Sequence, residues 1–306
     1  TAGSVILAGV LLKIGLYGFA RFCLPLFPDA AQTLMPFIAV LAVVGIIYGA
    51  CVAMVQPDVK KLVAYSSVSH LGFCVLGLFA FNLQGVQGAV IQMVNHGLST
   101  GALFLVVGML YERRHTRMIA DYGGVYKPMP VFGTFFTIIV LSSVALPGLN
   151  GFVGEFLILV GAFQTAKVFG VLAASGVVLA AIYLLWMYQR VMHGPIEHEE
   201  NRALPDLGAR EIITLVPIVL LCFWIGLYPK PFLERTEATM SAIVATASQD
   251  AGARDTPERL SASVPRIADR PVRAAAGSAT NTTDTEIAPG GPAAGAIQPS
   301  RSGVAR

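Results

Sequence analysis

Residues 141–163 read LSSVALPGLNGFVGEFLILVGAF, and the fold follows from them. Apolar residues run up to Pro147 and resume after Gly151, too hydrophobic on both sides for a solvated loop. Proline removes a backbone donor, and Gly148, Gly151 and Gly154 permit sharp turns. Backbone groups freed by such a break survive at membrane depth only where protein or water satisfies them. The stretch therefore predicts a membrane helix interrupted at Pro147–Gly151, with Glu155 just beyond the break. A broken helix beside an acid is how transporters build ion sites. The plainer alternative is a proline kink with Glu155 near the interface, because FLILVGAF adds only about two turns. Asn150 is placed to bond the freed carbonyls.

The same reading extends along the chain. Of its 306 residues, 55% are hydrophobic and only 13% charged, with a mean hydropathy of +0.68; a soluble domain carries about 25% charge. Apolar segments fit to cross a hydrocarbon core of about 30 Å fall at 5–22, 36–55, 62–81, 86–111, 129–165, 168–192 and 212–228, the fifth being the interrupted one. The expected fold is an all-α integral membrane protein of about seven transmembrane helices, occupying residues 1–232.

Three more titratable side chains are stranded in these helices. Lys13 lies in SVILAGVLLKIGLYGFA, His70 in KLVAYSSVSHLGFCVLGLFAF and His96 in GAVIQMVNHGLSTGALFLVVGML. A charge at membrane depth costs about 3 kcal/mol on insertion scales, so such residues are functional candidates, proton or ion relays first among them. Burial disfavours the charged form of an amine, which suits Lys13 to proton exchange near neutral pH. The alternative, snorkelling to the interface, works best near helix ends, and Lys13 is about midway. Ser66 and His70 are one turn apart, as are Gln92 and His96, so each pair shares a helix face. Histidine titrates near neutral pH through two nitrogens and can pass a proton on; it can equally be a hydrogen-bonded packing residue. Lys60 and Lys61 follow Gln56-Pro57-Asp58 at a helix start, where Asp58 favours the N-terminus. They read as relay members or, more simply, as interfacial charges that set topology.

Elsewhere the chemistry is sparse. Cys23, Cys51, Cys74 and Cys222 are scattered, without a CxxC or metal spacing. His115, His193 and His198 fall in loops, and the last two are too loosely spaced to argue for a metal. Lys60, Lys61, Arg113, Arg114, Arg117, Lys127, Arg190, Arg202 and Arg210 lie on one side of the predicted helices, and only Arg21 and Lys167 on the other. The rich side is expected to be cytoplasmic, which puts the C-terminus outside, in a bacterium the periplasm. From about 245 the composition turns to Ala, Gly, Pro, Ser, Thr and Arg without large aromatics, and residues 245–306 are expected to be a disordered polar tail. The chain opens without Met on an immediate helix, so a C-terminal fragment of a longer protein is expected.

Taken together, TAGSVILAGVLLKIGLYGFARF, QPDVKKLVAYSSVSHLGF, NHGLSTGALFLVVGMLYERRHTR and LPGLNGFVGEFLIL closely resemble subunit M of bacterial NADH:quinone oxidoreductase, respiratory complex I, the counterpart of mitochondrial subunit 4. The similarity runs from residue 1 to about 240. The superfamily also contains the large subunits of cation/proton antiporters and of membrane-bound hydrogenases. The resemblance implies the second inverted repeat of a fourteen-helix antiporter-like subunit. Lys13 is then the central lysine of helix eight, His70 and His96 are polar residues of the central axis, and Glu155 is the acid of the outlet half-channel, where the related subunit L has lysine. The lysine and glutamate of the first repeat lie outside this chain.

These readings imply a proton-translocating subunit with no redox site of its own. No flavin, nicotinamide or iron–sulfur motif is present, so NADH, FMN, iron–sulfur clusters and quinone are expected in partner subunits, with subunits L and N as neighbours in the bilayer and no nucleic acid. A subunit of a multisubunit Na+/H+ antiporter and a non-conducting scaffold of paired buried charges are the alternatives.

Overall fold

The computed structural model describes residues 2–252, with side chains to 247. Eight of the nine helices below belong to the membrane body. They are α1 (Ala2–Leu26), α2 (Pro28–Met54), α3 (Val59–Leu78), α4 (Leu83–Arg114), α5 (Pro130–Ser143), α6 (Asn150–Thr165), α7 (Lys167–Met192) and α8 (Ala209–Leu227). Six of them are long and apolar enough to cross a membrane. The shorter α5 and α6 are the two halves of the interrupted segment. The all-α architecture expected from sequence is present, and no strand occurs among the described residues, only an isolated bridge between Asp58 and Met118.

Helices α3 and α4 form the buried centre, while α1 and α8 lie at the rim with many apolar side chains exposed. So large an apolar exterior belongs in hydrocarbon rather than water. Helix α1 is not a plain α-helix: Leu7–Leu11 and Phe19–Cys23 are π-turns. Its buried positions Ala8, Leu16, Ala20 and Leu24 recur at multiples of four residues. An ordinary helix would carry such a series about 40° further round at each turn. Each π-turn widens the helix locally and brings the series back to the core.

The polar end of the bundle shows what the arginines bind. Asp58 caps α3, its carboxylate accepting from the Lys60 and Lys61 amides. The Arg113 guanidinium makes a two-pronged bond to Glu211 (2.8 and 2.6 Å) and donates to the Pro205 and Asp206 carbonyls. Asp206 in turn accepts from Val131 and Phe132 at the start of α5. Arg114 reaches Asn201, which donates to the Asp121 carbonyl. Arg113 and Glu211 are largely shielded from solvent. Arg113→Ala is therefore expected to cost about 3 kcal/mol, because it strands a shielded carboxylate and frees the Pro205–Asp206 segment from α4; a lowered thermal midpoint of the purified protein is the measurement.

Two boundaries differ from expectation. Helix α2 begins at Pro28, two turns before residue 36, with Pro36 inside it. A ninth helix, α9 (Lys230–Gly252), follows α8, where the sequence reading ended the membrane region at 232 and began the polar tail at 245. Its charges keep its hydropathy low, yet Phe232, Leu233, Met240, Ile243 and Val244 share one face and pack on Ile91, Val153, Ile225, Leu24 and Ala31. Gln32 of α2 donates to the Ala247 carbonyl. Thus α9 lies across the end of the bundle opposite the arginines. The remainder of the expected tail, 253–306, lies outside the described residues.

Candidate functional site

The break between α5 and α6 is built locally. Ala145, at φ +64°, and Gly148, at φ +94°, turn the chain out of helical geometry through the left-handed region. The amides of Ala145, Leu146 and Leu149 bond the carbonyls of Ser142, Leu141 and Leu146. A Cβ on Gly151 would stand 2.2 Å from the Ser142 carbonyl oxygen, and one on Gly226 of α8 would stand 2.3 Å from that of Gly148, so only glycine admits these approaches. Asn150 does not bond the freed carbonyls, as its position suggested. Its amide donates across to the Asn95 carbonyl of α4 (3.3 Å) while Asn95 donates to the Asn150 carbonyl (2.7 Å), and Ser142 donates to its oxygen. The reciprocal amides dock the start of α6 onto α4.

Glycines then bring α4 and α6 together. A Cβ on Gly88 would lie 2.7 Å from the Ile158 nitrogen, one on Gly154 2.9 Å from the Gln92 Cα, and one on Gly161 2.5 Å from the Gly85 Cα. This crossing buries Glu155 among α3, α4 and α6 at 2% exposure. Its Oε1 accepts from Gln92 Nε2 (3.0 Å) and lies 2.8 Å from His70 Nδ1.

The expected quartet is one connected file. Lys13 Nζ donates to the Ala8 carbonyl within the first π-turn and lies 2.6 Å from His96 Nδ1. The His96 and His70 rings meet edge to face with centroids 5.8 Å apart, and His70 reaches Glu155. Four helices, α1, α4, α3 and α6, supply one member each. Lys13 points inward rather than snorkelling, because Gly9 and Gly97 let α1 and α4 approach closely: a Cβ on Gly97 would lie 3.1 Å from the Gly9 carbonyl oxygen. Three polar atoms buried along this file have no protein partner, Asn95 Oδ1, His96 Nε2 and Glu155 Oε2, as suits positions filled by water.

Other candidates fall elsewhere. Lys60 lies at the arginine-rich end of the bundle, beside Tyr111 and Arg117 in a cavity of about 190 Å³; neither it nor Lys61 joins the file. The serines before His70 serve backbone carbonyls: Ser66 and Ser67 that of Val63, Ser69 that of Ile46 on α2. His193 stacks on Tyr126 and meets Tyr188 edge to face. Among the described residues no cluster of ligands could hold a metal, and all four cysteines are free thiols. One member of the site was missed: Tyr183 of α7, fully buried, with its hydroxyl 3.4 Å from His70 Nε2. A buried phenol needs a partner, but near Trp186 and Tyr188 it reads as part of an interfacial aromatic belt.

Comparison with known proteins gives a consistent result. The family model described as NADH:quinone oxidoreductase/Mrp antiporter, TM, matches residues 1–182. Over 252 residues the chain is 46% identical to NADH-quinone oxidoreductase subunit M of Rhodobacter capsulatus, covering 82% of this chain and 49% of that relative. Over 244 residues it is 46% identical to NADH-ubiquinone oxidoreductase chain 4 of Marchantia polymorpha, covering 80% and 49%. The chain thus spans about half the length of the curated relatives it matches. Among solved structures, a chain of respiratory complex I from Thermus thermophilus with bound NADH superposes with a TM-score of 0.74 at 32% identity, covering 78% of this chain and 50% of that one. A chain of the Mrp complex from Dietzia sp. superposes at 0.69 with 17% identity, covering 79% and 52%, a likeness of fold alone.

Proposed function

Because this chain belongs to the NADH:quinone oxidoreductase/Mrp antiporter membrane family, we propose that it carries protons across the membrane as part of subunit M of a bacterial NADH:quinone oxidoreductase. The observation that carries this reading is the file Lys13–His96–His70–Glu155, in order across four helices, with Lys13 half-buried and the other three buried. Lys13 and His96, and His70 and Glu155, lie within hydrogen-bond distance, and the two histidine rings meet edge to face between them. Protons enter from the arginine-rich cytoplasmic side, cross the file from Lys13 to Glu155, and leave to the periplasm on the side that carries α9.

The driving energy comes from outside the chain. NADH, FMN, iron–sulfur clusters and quinone belong to partner subunits, and subunits L and N are the neighbours in the bacterial inner membrane. Charge moved by quinone reduction shifts proton affinities along the file; one pKa unit corresponds to about 1.4 kcal/mol, within reach of a neighbouring charge displaced by a few ångströms. The family model covers Mrp antiporters as well, and the 46% identity to relatives named as NADH:quinone and NADH:ubiquinone oxidoreductase subunits favours this reading over a Na+/H+ antiporter.

Affinity purification of the full-length protein from its native membrane tests it. Inhibitor-sensitive NADH:quinone activity in the eluate is expected; cation-dependent proton exchange without that activity would overturn it. Within the file, Gly97→Leu should push α1 from α4 and part Lys13 from His96. Since an ångström of misplacement is costly to proton transfer, translocation should fall about tenfold or more, read as dye quenching in vesicles at unchanged subunit content.

A further inference from the structure

The file leaves a stereochemical question at His70. Lys13 Nζ lies 2.6 Å from His96 Nδ1; with the ammonium donating there, a neutral His96 carries its proton on Nε2, the atom without a protein partner. With Glu155 ionised, a neutral His70 gives Nδ1–H to the carboxylate and its lone pair is on Nε2. A proton coming from His96 must therefore enter His70 at Nε2. That atom is already covered: the Tyr183 hydroxyl faces it at 3.4 Å. The Ser66 hydroxyl also lies within hydrogen-bonding reach of the phenol; with its own hydrogen given to the Val63 carbonyl, its lone pairs are left to accept.

We infer that Tyr183 is a positioning residue, a two-position latch on the tautomer of His70; the inference rests on the relay reading above. In the closed position Tyr183 donates to His70 Nε2 and blocks proton arrival. In the open position it donates to Ser66 and exposes Nε2. One transfer then balances as follows. Lys13 gives a proton to His96 Nδ1, His96 gives its Nε2 proton to His70 Nε2, and His70 gives its Nδ1 proton to Glu155. The result is a neutral amine, a neutral carboxylic acid and two neutral histidines with exchanged tautomers. His70 Nε2–H now donates to the phenolic oxygen, which holds Tyr183 on Ser66. A hydroxyl, both donor and acceptor, fits both states; a purely apolar ring fits neither. The groups facing His70 are His96 from α4, Glu155 from α6 and Tyr183 from α7, with Lys13 beyond His96 and Cys74 one turn along α3.

The test uses the whole enzyme in sealed vesicles. Tyr183→Phe keeps the ring that packs α7 and removes the latch. Without NADH, these vesicles are expected to dissipate an imposed pH gradient about fivefold faster than wild type, the population change of one ordinary hydrogen bond, and adding Glu155→Gln should restore tightness. Ser66→Ala removes the open position and should slow NADH-driven translocation by a similar factor without a leak. Assembled complex is quantified for each variant; a merely structural role would not produce a leak that Glu155→Gln closes. Tyr183→Phe vesicles as tight as wild type, or a leak that persists in the double variant, would overturn the latch. If Glu155→Gln alone still pumps normally, the relay reading itself fails, whereas a dead Glu155→Gln beside a wild-type Tyr183→Phe overturns only the latch.

Discussion

Glu155→Gln is expected to stop proton translocation while the complex still assembles. The amide matches the carboxyl in shape. Its oxygen can keep the bonds from Gln92 and His70, and its NH2 takes the place of Oε2, an atom that has no protein partner. The packing of α6 on α4 is therefore preserved and only the ability to accept a proton is removed. Loss of a positioned proton acceptor typically costs a factor of about a hundred or more. The measurement is protons moved per electron in sealed vesicles, alongside the amount of intact complex. A normal ratio would mean that Glu155 and His70 are a structural pair. In that event Glu155→Gln combined with His70→Phe should be tolerated too, since replacing both partners of a buried pair often costs little.

The second large effect is structural. Gly161→Leu is expected to abolish assembly, because a Cβ there would stand 2.5 Å from the Gly85 backbone and 2.7 Å from the Asn82 side-chain oxygen. Asn82 is itself committed, donating to the Gly161 carbonyl and to Thr165. Neither helix can yield without separating the α4–α6 crossing that holds Glu155. Overpacking of this kind costs about 3 kcal/mol or more. Native gels should show the complex depleted, with the subunit degraded; a wild-type yield would mean that the helices cross with more slack than these distances allow.

Much of this site is legible in the chain itself, for a physical reason. Pro147, Gly148 and Gly151 in an apolar run, followed by Glu155, conflict with a plain membrane helix, and such a conflict persists only where something uses it. The stranded Lys13, His70 and His96 stand out on the same ground. Their order does not: nothing in the spacing ranks His70 against His96, and only the Gly9–Gly97 approach of α1 to α4 puts His96 first and His70 second. Tyr183 is hidden because an aromatic near a helix end looks interfacial until α7 is packed. Helix α9 is hidden because its apolar face is diluted by charge, so a hydropathy reading passes over what a partner surface makes stable. The arginines of LYERRHTR read as topology signals, and their bonds to Glu211, Pro205 and Asn201 emerge only from loops far apart in sequence.

The π-turns of α1 have a consequence for how this segment can change length. A helix turns about 100° per residue, so losing or gaining one residue ordinarily rotates everything beyond it to a new face. A π-turn is a place where one surplus residue is already stored. A single deletion within Leu7–Leu11 would therefore heal the helix into ordinary geometry and leave the Lys13 end of α1 close to its present phase. The same deletion in the ordinary turns of Leu12–Gly18 has no surplus to absorb it and would swing everything beyond by about 100°. The two π-turns are thus the places where this helix can lose a residue without turning its buried face outward.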